Sequence, residues 1–234
     1  HGDLGPSMKY LGRNVTDIIM QGLPVTAQLG LMALVISLAV GLPLGVAAAI
    51  RQNTMVDYAS MFFAIIGVCT PYFILGILLM IALAPTLHIV PTSGWDTPRH
   101  WLLPTLTLAA YPAAQIARYT RASMLEVIRQ DYVRTARAKG LAEQAVILGH
   151  MVKNALIPVV TVLGPITAFL VTGSFIIEYL FAVPGIGRLY VQAIGQRDYS
   201  MIMGTTLFYA FVVAVMNIIV DILYVFIDPR IRLK

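Results

Sequence analysis

Five runs of this chain, residues 23–50, 58–87, 101–117, 154–177 and 199–220, contain no charged side chain. A helix needs about 20 apolar residues to cross the hydrocarbon of a bilayer, and a charge near its centre is costly. None of the runs alternates with a period of two, as a strand of a membrane barrel would, so all five are expected to be helices. The third is short and is lengthened by the residues after it. The expected fold is therefore an all-α polytopic membrane bundle with spans at about 22–50, 58–87, 101–127, 154–178 and 199–227. An external segment (1–21) precedes the membrane domain (22–228), a cytoplasmic loop occupies 128–153, and a tail covers 229–234.

Composition agrees with this reading and excludes its rivals. Of 234 residues, 59% are hydrophobic and 12% charged, whereas a soluble domain carries about 25% charged residues. A soluble globular enzyme is excluded. So are disorder, collagen and a disulfide scaffold, because apolar content is high, glycine and proline follow no short period, and cysteine occurs once. That residue, Cys69, lies in an apolar run, where a small core thiol without chemistry is expected. Eight prolines fall in or at the ends of the runs: Pro24, Pro43, Pro71, Pro85, Pro104, Pro112, Pro158 and Pro165. They predict broken helices suited to a bundle that moves, since the freed backbone groups need a neighbour or a wet cavity. Gly41 and Gly45, four apart, allow close helix approach.

The basic residues fall unequally on alternate connections. Arg51, the set Arg118, Arg121, Arg129, Arg134, Arg137, Lys139 and Lys153, and the tail's Arg230, Arg232 and Lys234 share one side. Lys9, Arg13, Arg99, Arg188 and Arg197 share the other. The richer side is cytoplasmic by the positive-inside rule. The net charge of +5 is thereby explained by topology, with no nucleic-acid partner required. The C-terminus is expected inside and the first residue of the sequence outside, which leads to the further expectation of an additional span ahead of His1.

Residues 118–153 form a long connection with seven basic and three acidic residues (Glu126, Asp131, Glu143). Leu125, Ile128, Tyr132 and Ala136 recur at helical spacing between the cations, which predicts amphipathic helix. Asp131 can cap a fresh helix start and Gly140 can end the helix in the left-handed conformation. Such a helix could lie on anionic headgroups or dock into a groove of a soluble partner. The small alanines between charges in Arg134-Thr135-Ala136-Arg137-Ala138-Lys139-Gly140 suit close protein packing better than lipid burial.

The segment 132–141 followed by Asn154-Ala155-Leu156-Ile157-Pro158 resembles the cytoplasmic signature loop of ABC importer permeases. In the general pattern a Glu-Ala-Ala element precedes the glycine. Here Arg134 and Thr135 stand at the glutamate and first alanine, as in the dipeptide/oligopeptide branch. Further segments are similar to the B-type membrane subunit of that branch: Gln52-Asn53-Thr54 with Asp57-Tyr58, Arg118 to Arg121 with Ser123-Met124, and Gly173-Ser174 with Glu178. So are Val183-Pro184-Gly185-Ile186-Gly187, Arg197-Asp198-Tyr199-Ser200, and Val220-Asp221 to Ile227-Asp228-Pro229. The resemblance implies a type I ABC importer of the bacterial inner membrane, in which this chain and a C-type permease form the pathway. It implies two cytoplasmic ATPase subunits that carry ATP and Mg, and an external solute-binding protein that delivers a peptide. The chain has no glycine-rich Lys-Ser/Thr phosphate loop and is expected to be a transport subunit, without enzymatic activity or a cofactor of its own.

On that resemblance, Tyr132, Arg134, Thr135, Ala136, Arg137, Ala138, Lys139, Gly140 and Leu141 contact an ATPase subunit. Tyr132, Ala136 and Gly140 are expected to pack, and Arg134, Arg137 and Lys139 to orient the contact. Glu178, Pro184, Gly185, Gly187, Arg188, Arg197 and Asp198 are candidates for an outer gate or a binding-protein contact. Asp221 is a candidate structural pair. His88 and His100 have no metal-ligand spacing, and no metal site is expected. Closely similar permeases import nickel or glutathione, which keeps these substrates as alternatives. An ion-driven transporter or a membrane enzyme ranks lower: no intramembrane carboxylate relay, His-Glu-x-x-His element or Ser/His/Asp cluster is present.

Overall fold

The computed structural model describes residues 4–87, 90–172 and 175–227. Every regular element among them is helical, with one isolated antiparallel bridge between Pro6 and Asn14. The order is α1 (Val15–Ile50), α2 (Met55–Cys69), α3 (Tyr72–Leu87), α4 (Pro98–Ile128), α5 (Asp131–Ala138), α6 (Glu143–Ala145), a π-helical stretch (Val146–Val152), α7 (Lys153–Thr172), α8 (Phe175–Leu180), α9 (Ile186–Gln196) and α10 (Tyr199–Ile227).

Among the described residues, three helical stretches are long and apolar enough to cross a membrane, over Val15–Ile50, Glu143–Leu170 and Tyr199–Ile219. A fourth crossing exists if Met55–Cys69 and Tyr72–Leu83 are one broken span. The span expected over 58–87 is broken at Pro71, one of the prolines expected to interrupt helices. Thr70 is extended (φ −83°, ψ 122°), as the residue before a proline is driven to be, and Pro71 supplies no N–H to continue the ladder. The other prolines within helices leave them unbroken; α7 runs through both Pro158 and Pro165. Helix α4 is 31 residues long, about 46 Å at 1.5 Å per residue. Length therefore suffices for the expected third span, but Gln115, Arg118, Arg121 and Glu126 hold its hydropathy below that of the other three. Helix α1 starts at Val15, inside the segment expected to be external.

The chain forms two compact units. The first is drawn from His1–Leu34, Pro71–Ala109 and Thr167–Ile218. Its apolar centre joins Val15, Ile18 and Ile19 of α1 to Ile186 and Ala193 of α9 and Met201 and Tyr209 of α10. The second is drawn from Val35–Thr70, Ala110–Ile166 and Ile219–Lys234. There the glycines let backbones meet. A Cβ on Gly41 would stand 2.7 Å from the Ala113 carbonyl, one on Gly45 2.5 Å from the Ala117 carbonyl, and one on Gly67 2.9 Å from the Ala114 methyl. The Gly41/Gly45 pair thus receives successive turns of α4, the close approach that small residues at four-residue spacing permit. Cys69, expected in a core, is exposed. His88 and the tail 229–234 lie outside the described residues, as does the side chain of Asp221.

Candidate functional site

In the second unit the basic connection folds as a short helix seated on an apolar cluster. Gln130, extended at φ −74° and ψ 147°, precedes α5 and makes no side-chain cap; Asp131 is the first helical residue rather than the cap. Val133 and Ala136, three apart and so on one face, are 0% and 5% exposed. They pack with Ala49, Met124, Val146, Met151 and Ala155. Tyr132, Arg134, Thr135, Arg137, Ala138, Lys139, Gly140 and Leu141 are exposed.

Of Tyr132, Ala136 and Gly140, the three expected to pack in the ATPase contact, Ala136 instead lies buried in its own chain's apolar cluster. An eight-residue helix has one inner face, and spacing places Ala136 there with Val133, a residue the sequence reading did not single out. Helix α5 ends at a glycine turn: Leu141 N–H donates to the Ala136 carbonyl (3.4 Å) and Gly140 N–H to that of Arg137 (2.9 Å). This is the paired bonding of a Schellman cap, with Gly140 at φ +76°. The three cations differ in freedom. Arg137 forks onto the Glu143 carboxylate (Nη2 to Oε1 2.7 Å, Nε to Oε2 3.2 Å), tying the end of α5 to α6. Arg134 has only a 3.8 Å contact with Asp131, in full solvent, and Lys139 forms no ion pair among the described residues.

A second ion pair braces the same unit. Arg121 on α4 forks onto Asp57 on α2, with Nε to Oδ1 at 2.6 Å and Nη2 to Oδ2 at 2.7 Å. The Asp57 carboxylate also accepts the N–H of Asn53, 3.0 Å away, which closes the turn between α1 and α2 at an Asn53 φ of 60°. Asp57 is 2% exposed. A guanidinium fork is the geometry that satisfies such a buried carboxylate. Both residues stood in recognised segments, but opposite charge across 64 positions did not reveal their pairing.

In the first unit the Val183 to Gly187 turn is built around Glu178, which is 0% exposed. Gly185 precedes α9 and has no side chain to cap it. Glu178 and Thr26 supply what it lacks. Glu178 Oε2 accepts the N–H groups of Gly187 (2.8 Å) and Arg188 (3.4 Å). Thr26 Oγ1 accepts the N–H of Ile186 (2.9 Å) and donates to Glu178 Oε1 (3.0 Å). The first free donors of α9 are thus satisfied by side chains distant in sequence, and the carboxylate lies at the favourable end of the helix dipole. A Cβ on Gly185 would fall on Glu178 Oε2 and Thr26 Oγ1.

Arg188 donates to the Ala182 carbonyl at 2.8 Å, closing the turn. At the far end of α9, Arg197 adopts φ 57° and Asp198, just before α10, caps it by accepting Met201 N–H at 3.0 Å. Asp198 also accepts the Ser7 hydroxyl and the N–H groups of Met8 and Lys9 (3.2 Å each), so it holds residues 7–9 as well. Burial pushes its carboxyl up, but the Ser7 hydroxyl and the three N–H groups outweigh burial and hold it below the usual carboxylate range. Of the seven residues proposed from sequence for an outer contact, only Pro184 and Arg197 are exposed. Glu178 and Asp198 are internal fasteners. His100, at the start of α4, accepts the Thr97 N–H through Nδ1 at 3.3 Å.

The described residues thus combine long apolar helices, one sharply bent helix pair and a short charged helix. The chain belongs to the family of binding-protein-dependent transport system inner membrane components, whose profile matches residues 41–233. It is 49% identical over 231 residues to a dipeptide transport system permease protein of Bacillus subtilis, covering 99% of this chain and 75% of the relative. It is 42% identical over 234 residues to an oligopeptide transport system permease protein of Salmonella typhimurium, covering 99% and 76%. The fold is that of the MetNI methionine ABC transporter in an inward-facing conformation, with a TM-score of 0.73 at 18% identity, over 91% of this chain and 97% of that one.

Proposed function

We propose that this chain is a membrane subunit of an ATP-driven importer of di- and oligopeptides and that α5 receives the motion of an ATPase subunit. Its partners on this reading are a C-type permease, two cytoplasmic ATPase subunits and an external solute-binding protein. The membrane is the bacterial inner membrane, with the C-terminus and α5 on the cytoplasmic side, where the positive-inside count puts them. The peptide substrate rests on the likeness to dipeptide and oligopeptide permeases.

One observation carries the coupling role: α5 is anchored to its own chain by Val133 and Ala136 while Tyr132, Arg134, Lys139 and Leu141 stay exposed. A helix pinned on one face and free on the other transmits a push. Its cluster includes residues of α1, α4, the π-helical stretch and α7, so displacement reaches all four. ATP can drive the permease only as far as the ATPase contact favours one of its conformations over the other.

The test is Arg134→Glu with Lys139→Glu in the assembled importer. Peptide uptake and copurification of the ATPase subunit are expected to fall together. Wild-type uptake with full copurification would overturn the coupling role. Ala136→Glu, which attacks the seat, is expected to retain less uptake than either outward variant.

A further inference from the structure

Helix α4 has a face that the described residues leave exposed. Ala114, Ala117, Thr120 and Met124 are buried, but Arg118, Tyr119 and Ala122 are exposed, and Tyr111 and Gln115 are partly so. These five fall at intervals of three and four, hence on one stripe. A groove of about 250 Å³ lies along it, lined among the described residues by Gln115, Arg118, Tyr119 and Ala122. Gln115 Nε2 donates to Tyr111 Oη at 2.6 Å. Arg118 forms no ion pair among the described residues.

Four environments could face this stripe, and the fourth, a second permease packed on it, would shield Gln115 from a water-soluble reagent and is decided by the test below. Hydrocarbon is the costliest, for it would leave a cation and an amide desolvated. Headgroups could serve Arg118 and Tyr119, since Arg118 lies about 30 Å along the helix from Pro98, near the far edge of a bilayer. They could not reach the Tyr111–Gln115 pair, about 5 to 10 Å further toward the middle. Water along the whole stripe satisfies all of these groups, and a polar line through a membrane bundle is where a polar solute can pass.

We propose that the Tyr111, Gln115, Arg118, Tyr119 and Ala122 face of α4 lines the translocation path, with Arg118 as a subsite for the carboxylate of a peptide in passage. The carboxylate assignment rests on the peptide-importer reading; the wet stripe does not. The guanidinium fork matches a carboxylate in two hydrogen bonds. Tyr119 beside it and the Gln115 amide one turn away can meet the peptide's uncharged groups.

The test uses the complete importer in vesicles. In a Cys69→Ser background, Gln115→Cys is expected to react with a water-soluble cationic thiol reagent, and Phe62→Cys, on the exposed apolar face of α2, is not. Peptide-loaded binding protein with ATP should slow the reaction at Gln115→Cys. Equal, slow reaction at both positions in every nucleotide state would overturn the wet stripe. For the subsite, Arg118→Gln is expected to lower uptake of a free-carboxylate peptide about tenfold, the scale of one charge-assisted hydrogen bond. Arg118→Lys should recover part of it, and a C-terminally amidated peptide on saturating binding protein should be moved alike by all three proteins. Equal losses for both peptides would overturn the subsite, as would a loss confined to vesicles containing anionic lipid, which would make Arg118 a headgroup anchor. Failure of the wild-type importer to move any peptide would defeat the peptide reading, while reaction at Gln115→Cys would still decide the stripe.

Discussion

The α8–α9 turn and the α5 helix are both short, both lie between long helices and both are rich in residues singled out from sequence, yet they treat their polar groups in opposite ways. In the turn, Glu178, Thr26 and the first N–H groups of α9 satisfy one another out of contact with solvent. In α5, two small apolar side chains point inward and nearly all the polar ones point out. The difference shows that charge density along a chain does not report accessibility. A carboxylate beside a glycine turn is often needed to cap what glycine cannot. A cation on a helix whose inner face is already filled is left for a partner.

The contrast can be broken by substitution. The largest effect is expected at Gly185→Val, whose side chain would displace the buried Glu178 and Thr26 groups and leave α9 uncapped; a loss of about 3 kcal/mol or more is expected. Thermal unfolding of the assembled permease would register it, and a midpoint equal to wild type would show that the turn is not a rigid fastener. Asp57→Ala comes next. It strands the Arg121 guanidinium and costs about 3 kcal/mol, and the exchange Asp57→Arg with Arg121→Asp should restore part of the midpoint.

A pH series sharpens the picture at the other end of α9. Because the Asp198 carboxyl is held below the usual range, its stabilisation is fully present above the unfolded value of about 3.9 and is lost as pH falls through the folded value. The gap in unfolding midpoint between wild type and Asp198→Asn should therefore be constant above about pH 5 and shrink below pH 4. In α5 the effects are smaller. Gly140→Ala meets open space but must hold φ +76°, which costs about 1 kcal/mol. That is expected to fray the helix end in hydrogen exchange without lowering the global midpoint. Arg137→Ala removes a solvent-exposed pair and should leave the midpoint unchanged, in contrast to Asp57→Ala.

Much of the architecture was legible in the residues. The charge-free runs located the long helices, and Gly140 marked the left-handed end of α5 where it is found. The Gly41 and Gly45 spacing pointed to a close helix contact, though not to α4 as its partner. Other features were hidden for definite physical reasons. The eight prolines looked alike, and only Pro71, preceded by an extended Thr70, separates two helices of a single run. Val133 escaped notice because one apolar residue among charges carries no periodicity until its partner at i+3 is known to face inward. Arg121 and Asp57 were each noticed, but a pair 64 positions apart has no local signal.

The sequence by itself determined that this chain lives in a bilayer, where its helices run, which connection holds the charge and which family it belongs to. These depend on side-chain hydrophobicity and on short-range order, both properties of consecutive residues. Only the tertiary structure decided that Glu178 and Asp198 face inward as caps, that α5 rests on Val133 and Ala136, and that α4 keeps a polar face uncovered. Those outcomes depend on which groups from distant segments arrive close enough to satisfy a hydrogen bond or exclude water. Proximity of that kind is created by packing and is absent from the order of the residues.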